Sequence, residues 1–267
     1  MTTPVPKPIL RWAGSKRQML PKLIGLAPDE FERYIEPFCG SACLFLALQP
    51  KKAILSDINP HIVSTYQTLK SNPNRVAHIL SKWGPTKERY LALRSSPGFA
   101  DPALNAARFI YLNRYCFNGV YRENLKGEFN VPYGGYRTGK LPDIEDLTLF
   151  SKALTGTKII CRDFSTSITE ARCGDFMYLD PPYFYGNARN RGQYGWNTFS
   201  DDDVDRLIVQ VKDASSKGVK ILISYNKAHI LKKALTRWKL SYCAVKRSVA
   251  GFSNMRSNVR EFQLRNY

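Results

Sequence analysis

Short apolar runs recur along this chain, separated by stretches whose apolar residues return at helical spacing. The runs at 33–36, 53–56, 158–161, 176–179 and 219–224 are rich in Ile, Leu, Val, Phe and Tyr, and each predicts a buried strand. Segment 41–48 is apolar on every side and predicts a buried helix between the first two strands. Strands that alternate with helices imply a mostly parallel sheet covered on both faces. Two further runs, 241–249 and 259–265, flank a Gly/Ser/Asn loop and predict a closing pair of strands.

The rhythm breaks between 66 and 150. Helical patterns dominate there, including one over 103–117, and Gly, Asn and Tyr then crowd 118–139 with turn chemistry. The expected organisation is an α/β domain made of 1–65 and 151–267, interrupted by a mostly helical domain at 66–150 that carries a β-hairpin. No repeat or low-complexity segment is present, no run approaches transmembrane length, and the N-terminus lacks the apolar core of a signal peptide.

Charge narrows the partner. Lys+Arg number 40 against 22 Asp+Glu, a formal +18, which points to a polyanion. A membrane surface is the rival, but no basic amphipathic helix or lipidation signal is found. The 6 cysteines show no paired C-x-x-C spacing, so reduced thiols in a cytoplasmic protein are expected and a metal site is not. His61, His78 and His229 have no visible carboxylate or serine partner, and no G-x-S-x-G elbow occurs, so hydrolase chemistry drops out.

The chemistry concentrates at Asp180-Pro181-Pro182-Tyr183, immediately after the 176–179 run. The carboxyl ends of strands are where open α/β sheets hold ligands. An exocyclic amine on a nucleobase is a poor nucleophile, because its lone pair is delocalised into the ring. A carboxylate on Asp180 accepting one N–H and the Pro181 carbonyl accepting the other would free that lone pair. Pro182 holds the loop stiff, and Tyr183 offers a face for an extruded base.

A second constellation follows the first strand. Glu36-Pro37-Phe38-Cys39-Gly40-Ser41 has one glycine where the dinucleotide fingerprint has three, so a nucleoside without phosphates fits better than a pyrophosphate. Asp57 ends the second strand, where an acid binds ribose hydroxyls; its alternative role is to cap a helix beginning near Pro60. Such spacing suits S-adenosylmethionine. Arg11-Trp12-Ala13-Gly14-Ser15-Lys16 combines an apolar wall with a cation for a ligand carboxylate, and Asp163-Phe164 pairs an acid with a stacking ring.

The ordered series R-W-A-G-S-K, E-P-F-C-G-S, S-D-I-N, N-R-Y-C-F-N-G-V-Y-R, G-E-F-N-V-P-Y-G, R-D-F, D-P-P-Y and I-S-Y-N resembles the Dam-type DNA adenine-N6 methyltransferases over nearly the whole chain. The resemblance implies a Rossmann-like methyltransferase fold with a mixed seven-stranded sheet. It implies that Trp12, Ala13, Gly14, Lys16, Glu36, Phe38, Gly40, Asp57, Asp163, Phe164 and Asp180 hold S-adenosylmethionine, which leaves as S-adenosylhomocysteine. It also makes 66–150 a target-recognition domain and double-stranded DNA the partner of a monomer.

Base reading then falls to the insertion. Arg122 can contact guanine O6 and N7 in the major groove, and Val120 can touch a thymine methyl. By the resemblance Asn118, Pro132 and Tyr136 are further contacts within GATC or a related sequence, Phe117 is a wedge, and Arg247 lies beside the DNA backbone. Arg11 belongs to a basic N-terminal stretch suited to phosphates. A stacked base cannot reach Asp180, so flipping is required. Cytosine-N4 methylation and a catalytically inactive DNA-binding regulator are the alternatives.

Overall fold

The computed structural model describes residues 4–12, 14–124, 127–135, 139–182, 199–225, 228–246 and 258–267. They fall into two compact units. One holds the described residues up to Ser15 together with Asn59–Thr155; the other holds Lys16–Ile58, the described residues from Gly156 and Phe199–Tyr267.

The second unit is built on a mixed seven-stranded sheet in the order β3-β2-β1-β4-β5-β7-β6. The strands are β1 (Arg33–Glu36), β2 (Ala53–Asp57), β3 (Thr157–Cys161), β4 (Asp175–Leu179), β5 (Lys220–Tyr225), β6 (Lys239–Lys246) and β7 (Asn258–Arg265). The first five run parallel, with Ile35 of β1 opposite Ile54 of β2 and Met177 of β4. β7 is antiparallel to both β5 and β6. Every residue of β4 is buried, as expected of a parallel strand covered on both faces.

Local sequence explains the cover. Helix Asp201–Ser216 opens on a reciprocal capping box between Ser200 and Asp203, and its three first-turn aspartates complement the helix dipole. Its buried stripe of Val204, Leu207, Ile208, Val211 and Ala214 joins Val219, Ile221 and Ile223 in one core cluster. The helix predicted over 41–48 begins only at Cys43, because Gly40 and Ala42 take φ of 42° and 52°. That left-handed stretch is the glycine loop itself. At Gly156 a side chain is impossible, since a Cβ would stand 2.6 Å from the Lys51 carbonyl oxygen.

The first unit is helical: Pro60–Ser71, Pro73–Ser81, Lys87–Ser95, Pro102–Tyr115 and Ile144–Ala153. Asn59, Thr86, Asp101 and Asp143 cap four of these through side-chain oxygens. Ala103, Ala106 and Ala107 on the buried face of Pro102–Tyr115 leave room for neighbouring helices to pack closely. The reversal expected as a β-hairpin is held by two isolated bridges, Cys116 with Tyr133 and Glu123 with Phe129, rather than by strands among the described residues. Also among those residues, no helix is long and apolar enough to cross a membrane.

Arg33 and Asp175 face each other across β1 and β4, with two guanidinium bonds of 3.0 and 2.6 Å to a fully buried carboxylate. Asp175 also accepts the Arg172 N–H. Asp175→Ala leaves the guanidinium with only the Glu170 carbonyl and that amide without its acceptor. A loss of about 2–3 kcal/mol is expected, read from the midpoint of urea unfolding; an unchanged midpoint would show that the pair contributes nothing.

Candidate functional site

The carboxyl ends of β1, β2 and β4 carry Glu36, Asp57 and, one residue beyond, Asp180. Asp57 accepts the Gly40 N–H at 3.0 Å, which ties the end of β2 to the left-handed loop after β1. Asn59, not Asp57, caps helix Pro60–Ser71 by accepting the His61 N–H, so Asp57 is left to the loop. Glu36 is buried and accepts the Tyr34 hydroxyl proton at 3.0 Å. Burial drives its carboxyl well above the usual range; the Tyr34 bond opposes this and the charges of Asp180 and Asp57 add to it. The Cys39 thiol is likewise pushed up, by burial and then by Asp57 and Glu36.

Asp180 meets Lys16, whose ammonium lies 2.8 Å from Oδ2. The lysine is 4% exposed and the aspartate 19%. The same ammonium stands 3.8 Å from Glu261 on β7. Burial pushes the Asp180 carboxyl up to about 6; Lys16 pulls it down and Glu261 pushes it up. Near neutrality Asp180 is therefore ionised yet ready to take a proton. Pro181 is buried beside it and Pro182 half-buried. Tyr178, near the carboxyl end of β4, donates to Ser224 on β5 at 3.1 Å and braces the strand below the loop.

Phe38, Phe164 and Phe199 form one aromatic group, with Phe38 and Phe164 stacked at 5.2 Å and Phe199 edge-on to Phe38. Asp163 caps helix Phe164–Thr169 and pairs with Arg206 at 3.2 Å. Burial raises the Asp163 carboxyl, but the Ser165 and Arg206 bonds outweigh it and hold the group below its ordinary value. The Arg206 guanidinium also lies 4.7 Å above the Phe164 ring.

Arg11, Trp12 and Gly14 belong to the first unit. Trp12 stacks on Tyr121 at 5.2 Å and tilts against Phe109. The Arg11 backbone is clamped by Asn113, which accepts its N–H at 2.7 Å and donates to its carbonyl at 2.8 Å. Its side chain crosses Gly119 so closely that a Cβ there would stand 2.7 Å from Nε. Phe117 is 51% exposed at the turn, next to Asn118 at φ 56°. Arg122 is exposed and donates Nε–H to Asn130 across the reversal at 2.8 Å. Val120 is half-buried and Pro132 exposed, with the Pro132 carbonyl accepting the Phe117 N–H. Ala13, Tyr136, Tyr183 and Arg247 lie outside the described residues.

Four participants escaped sequence reasoning: Glu261, Arg206, Tyr121 and Asn113. Each acts through a partner distant in the chain. Asn113 and Tyr121 lay inside the N-R-Y-C-F-N-G-V-Y-R motif without an assigned role, and Glu261 left a trace as an acid inside a strand-forming run.

A family model for D12 class N6 adenine-specific DNA methyltransferases matches residues 12–249. The chain is similar to the type II methyltransferase M1.LlaDCHI of Lactococcus lactis subsp. cremoris, at 34% identity across 98% of this chain and 95% of that protein. Type II methyltransferase M.MjaIII of Methanocaldococcus jannaschii is 36% identical over 82% of this chain and 83% of its own length. A DNA adenine methylase of Salmonella typhi is 31% identical over 94% and 92%.

Lys16→Met removes the cation that opposes burial at Asp180 and leaves Glu261 as a like charge. The Asp180 titration, followed by carboxyl carbon NMR, is expected to rise from about 6 by roughly one unit or more. A titration that stays in place would show that the ion pair does not set the state of Asp180.

Proposed function

The chain belongs to the D12 class of N6 adenine-specific DNA methyltransferases, and on that premise we propose that it methylates N6 of an adenine flipped out of double-stranded DNA, using S-adenosylmethionine, within GATC or a close relative. Adenine is the base this class modifies, which sets cytosine aside. The observation that carries the mechanism is the Lys16–Asp180 pair at the end of β4.

The donor set suits a cationic methyl donor. In a chain of formal charge +18, Glu36, Asp57, Asp180 and Glu261 gather around Lys16 and the loop of Gly40. Asp57, Glu36, Phe38, Gly40 and Lys16 would hold the donor, with Asp163 and Phe164 toward its adenine. When bound, S-adenosylmethionine supplies an electrophilic methyl carbon on a positively charged sulfur and leaves as S-adenosylhomocysteine. Trp12 is a family position for the same ligand, with the small residues Ala13 and Gly14 beside it.

The work of the chain is orientation. The Asp180 carboxylate accepts one N–H of the target amine and the Pro181 carbonyl accepts the other, so the nitrogen lone pair leaves conjugation with the purine. Pro182 has no N–H and fixed φ, which keeps that carbonyl in place. Tyr183 stacks on the flipped base. As the N–C bond forms, the nitrogen becomes acidic, and an Asp180 oxygen can hold the proton it sheds.

The helical unit supplies recognition in this reading, with the target domain expected at 66–150. Arg122 reads a guanine, Phe117 wedges into the stack, Asn118, Val120, Pro132 and Tyr136 line the bases, and Arg11 and Arg247 meet the backbone. Asn130 holds the Arg122 fork before DNA arrives, which lowers the ordering cost.

Asp180→Ala is expected to cut turnover at least about 1,000-fold while duplex binding, measured by fluorescence anisotropy, stays within about threefold. Turnover near the native rate would remove Asp180 from the mechanism. Arg122→Ala should cost about 1–3 kcal/mol of discrimination at one base position. Sequencing of methylated adenines on a plasmid reads this directly; an unchanged set of sites means Arg122 does not read DNA.

A further inference from the structure

Lys16 is anchored from two sides, by Asp180 beyond β4 and by Glu261 on β7, and lies almost wholly buried between them. β7 separates β5 from β6 at the antiparallel end of the sheet, so Glu261 comes from a strand that borders neither β1 nor β4. A fixed lysine loses much of its side-chain freedom. A second carboxylate offsets that loss and narrows the positions the ammonium can take.

Resting on the reading of Asp180 as acceptor of the target amine, we propose that Glu261 is a positioning residue for methyl transfer: it holds the Lys16 ammonium against Asp180, so that the acceptor is oriented before the base arrives. An apolar residue would serve the strand better if folding were the only demand, because a like charge this close to Asp180 is unfavourable in itself. The chain keeps the charge where it bears on the reacting group. Two carboxylates sharing one ammonium also leave the cluster negative, which favours a cationic donor over its neutral product.

Asp180 is faced from every side by groups that titrate or carry charge. Glu36 comes from β1, Tyr178 from β4, Lys16 from the turn before the first helix and Glu261 from β7, with Asp57 of β2 acting on Glu36. Cys243 of β6 and Lys22 lie around the Lys16–Glu261 contact. All of these remain when Glu261 alone is changed, so a shift between variants reports Glu261.

Glu261→Gln keeps the shape and an oxygen for Lys16 but removes the charge; Glu261→Leu removes both. Each full-length variant is compared with the native enzyme for kcat and KM against pH on a duplex substrate. Donor affinity is measured by calorimetry, and the Asp180 titration by NMR without donor or DNA. Glu261→Gln should move both the acid limb of kcat and the NMR titration to lower pH, by about half a unit to one unit. Glu261→Leu should lower kcat roughly tenfold or more, with melting temperature close to native and donor affinity reduced by less than kcat.

A titration and acid limb unmoved in Glu261→Gln, with kcat intact in Glu261→Leu, would overturn the proposal. So would equal losses of melting temperature, donor affinity and kcat without any pH shift, which mark a purely structural glutamate. Failure of the underlying reading is separate: a native rate in Asp180→Ala removes the acceptor, whereas the NMR shift concerns only the coupling of Glu261 to Asp180.

Discussion

A carboxylate enclosed by protein stays ionised only where a cation offsets its lost hydration, and Asp180 meets that constraint through Lys16 at 2.8 Å. Two opposite charges about 4 Å apart gain on the order of 4 kcal/mol at an effective dielectric near 20. The desolvation of each ion costs several kcal/mol. Desolvation outweighs the attraction to Lys16, and the carboxyl is pushed up to about 6, above a solvated aspartate but below neutrality. A stronger cation field would spoil it as a proton acceptor, and a weaker one would protonate it and turn an acceptor into a donor. In the proposed reaction neither extreme would serve, because the same oxygen would first accept an N–H and then a proton.

The sheet makes that balance reachable. From β1 the chain moves outward through β2 and β3, then returns to place β4 on the other flank of β1. The reversal opens a crevice at the carboxyl ends of β1 and β4, as in other doubly wound sheets. Glu36, Asp57 and Asp180 come from three neighbouring strands and need no long loop to converge. The antiparallel β7 adds Glu261 from the opposite half of the sheet. Glu36, Asp57 and Glu261 stand on strands and Asp180 one residue beyond β4, so the two acids at Lys16 are placed by the core rather than by long surface loops.

The fold was readable because parallel strands are buried on both faces and announce themselves as continuous apolar runs. β1 through β5 match those runs to within a residue or so at their ends. The reversal over 118–139 was less legible: its turn residues signal a change of direction but cannot say whether bridges or full strands close it. At the site, Asp180, Asp57 and Gly40 lay in motifs whose spacing carries chemistry. The pairing of Asp163 with Arg206, the clamp of Asn113 on Arg11 and the stacking of Tyr121 on Trp12 depend on tertiary approach. Glu261 was hidden for a further reason. β7 buries Glu261, Gln263 and Leu264 together, so polar and apolar burial do not alternate along it and the period of two gives no warning.

Charge is distributed at two scales that act in opposite directions. The chain as a whole is strongly basic, which draws a polyanion from a distance and weakens with salt. Around Lys16 the balance reverses, with the carboxylates of Asp180 and Glu261 both within 4 Å of one ammonium. Screening removes the first effect beyond about 8–10 Å at physiological salt but hardly touches a buried cluster. High salt should therefore weaken the grip on DNA while leaving the proposed donor site nearly unchanged. The local excess of negative charge also separates reactant from product in the proposed reaction. A donor loses its positive charge as it gives up the methyl group, so the field that attracted it no longer holds what remains, and turnover gains a release step that requires no moving part.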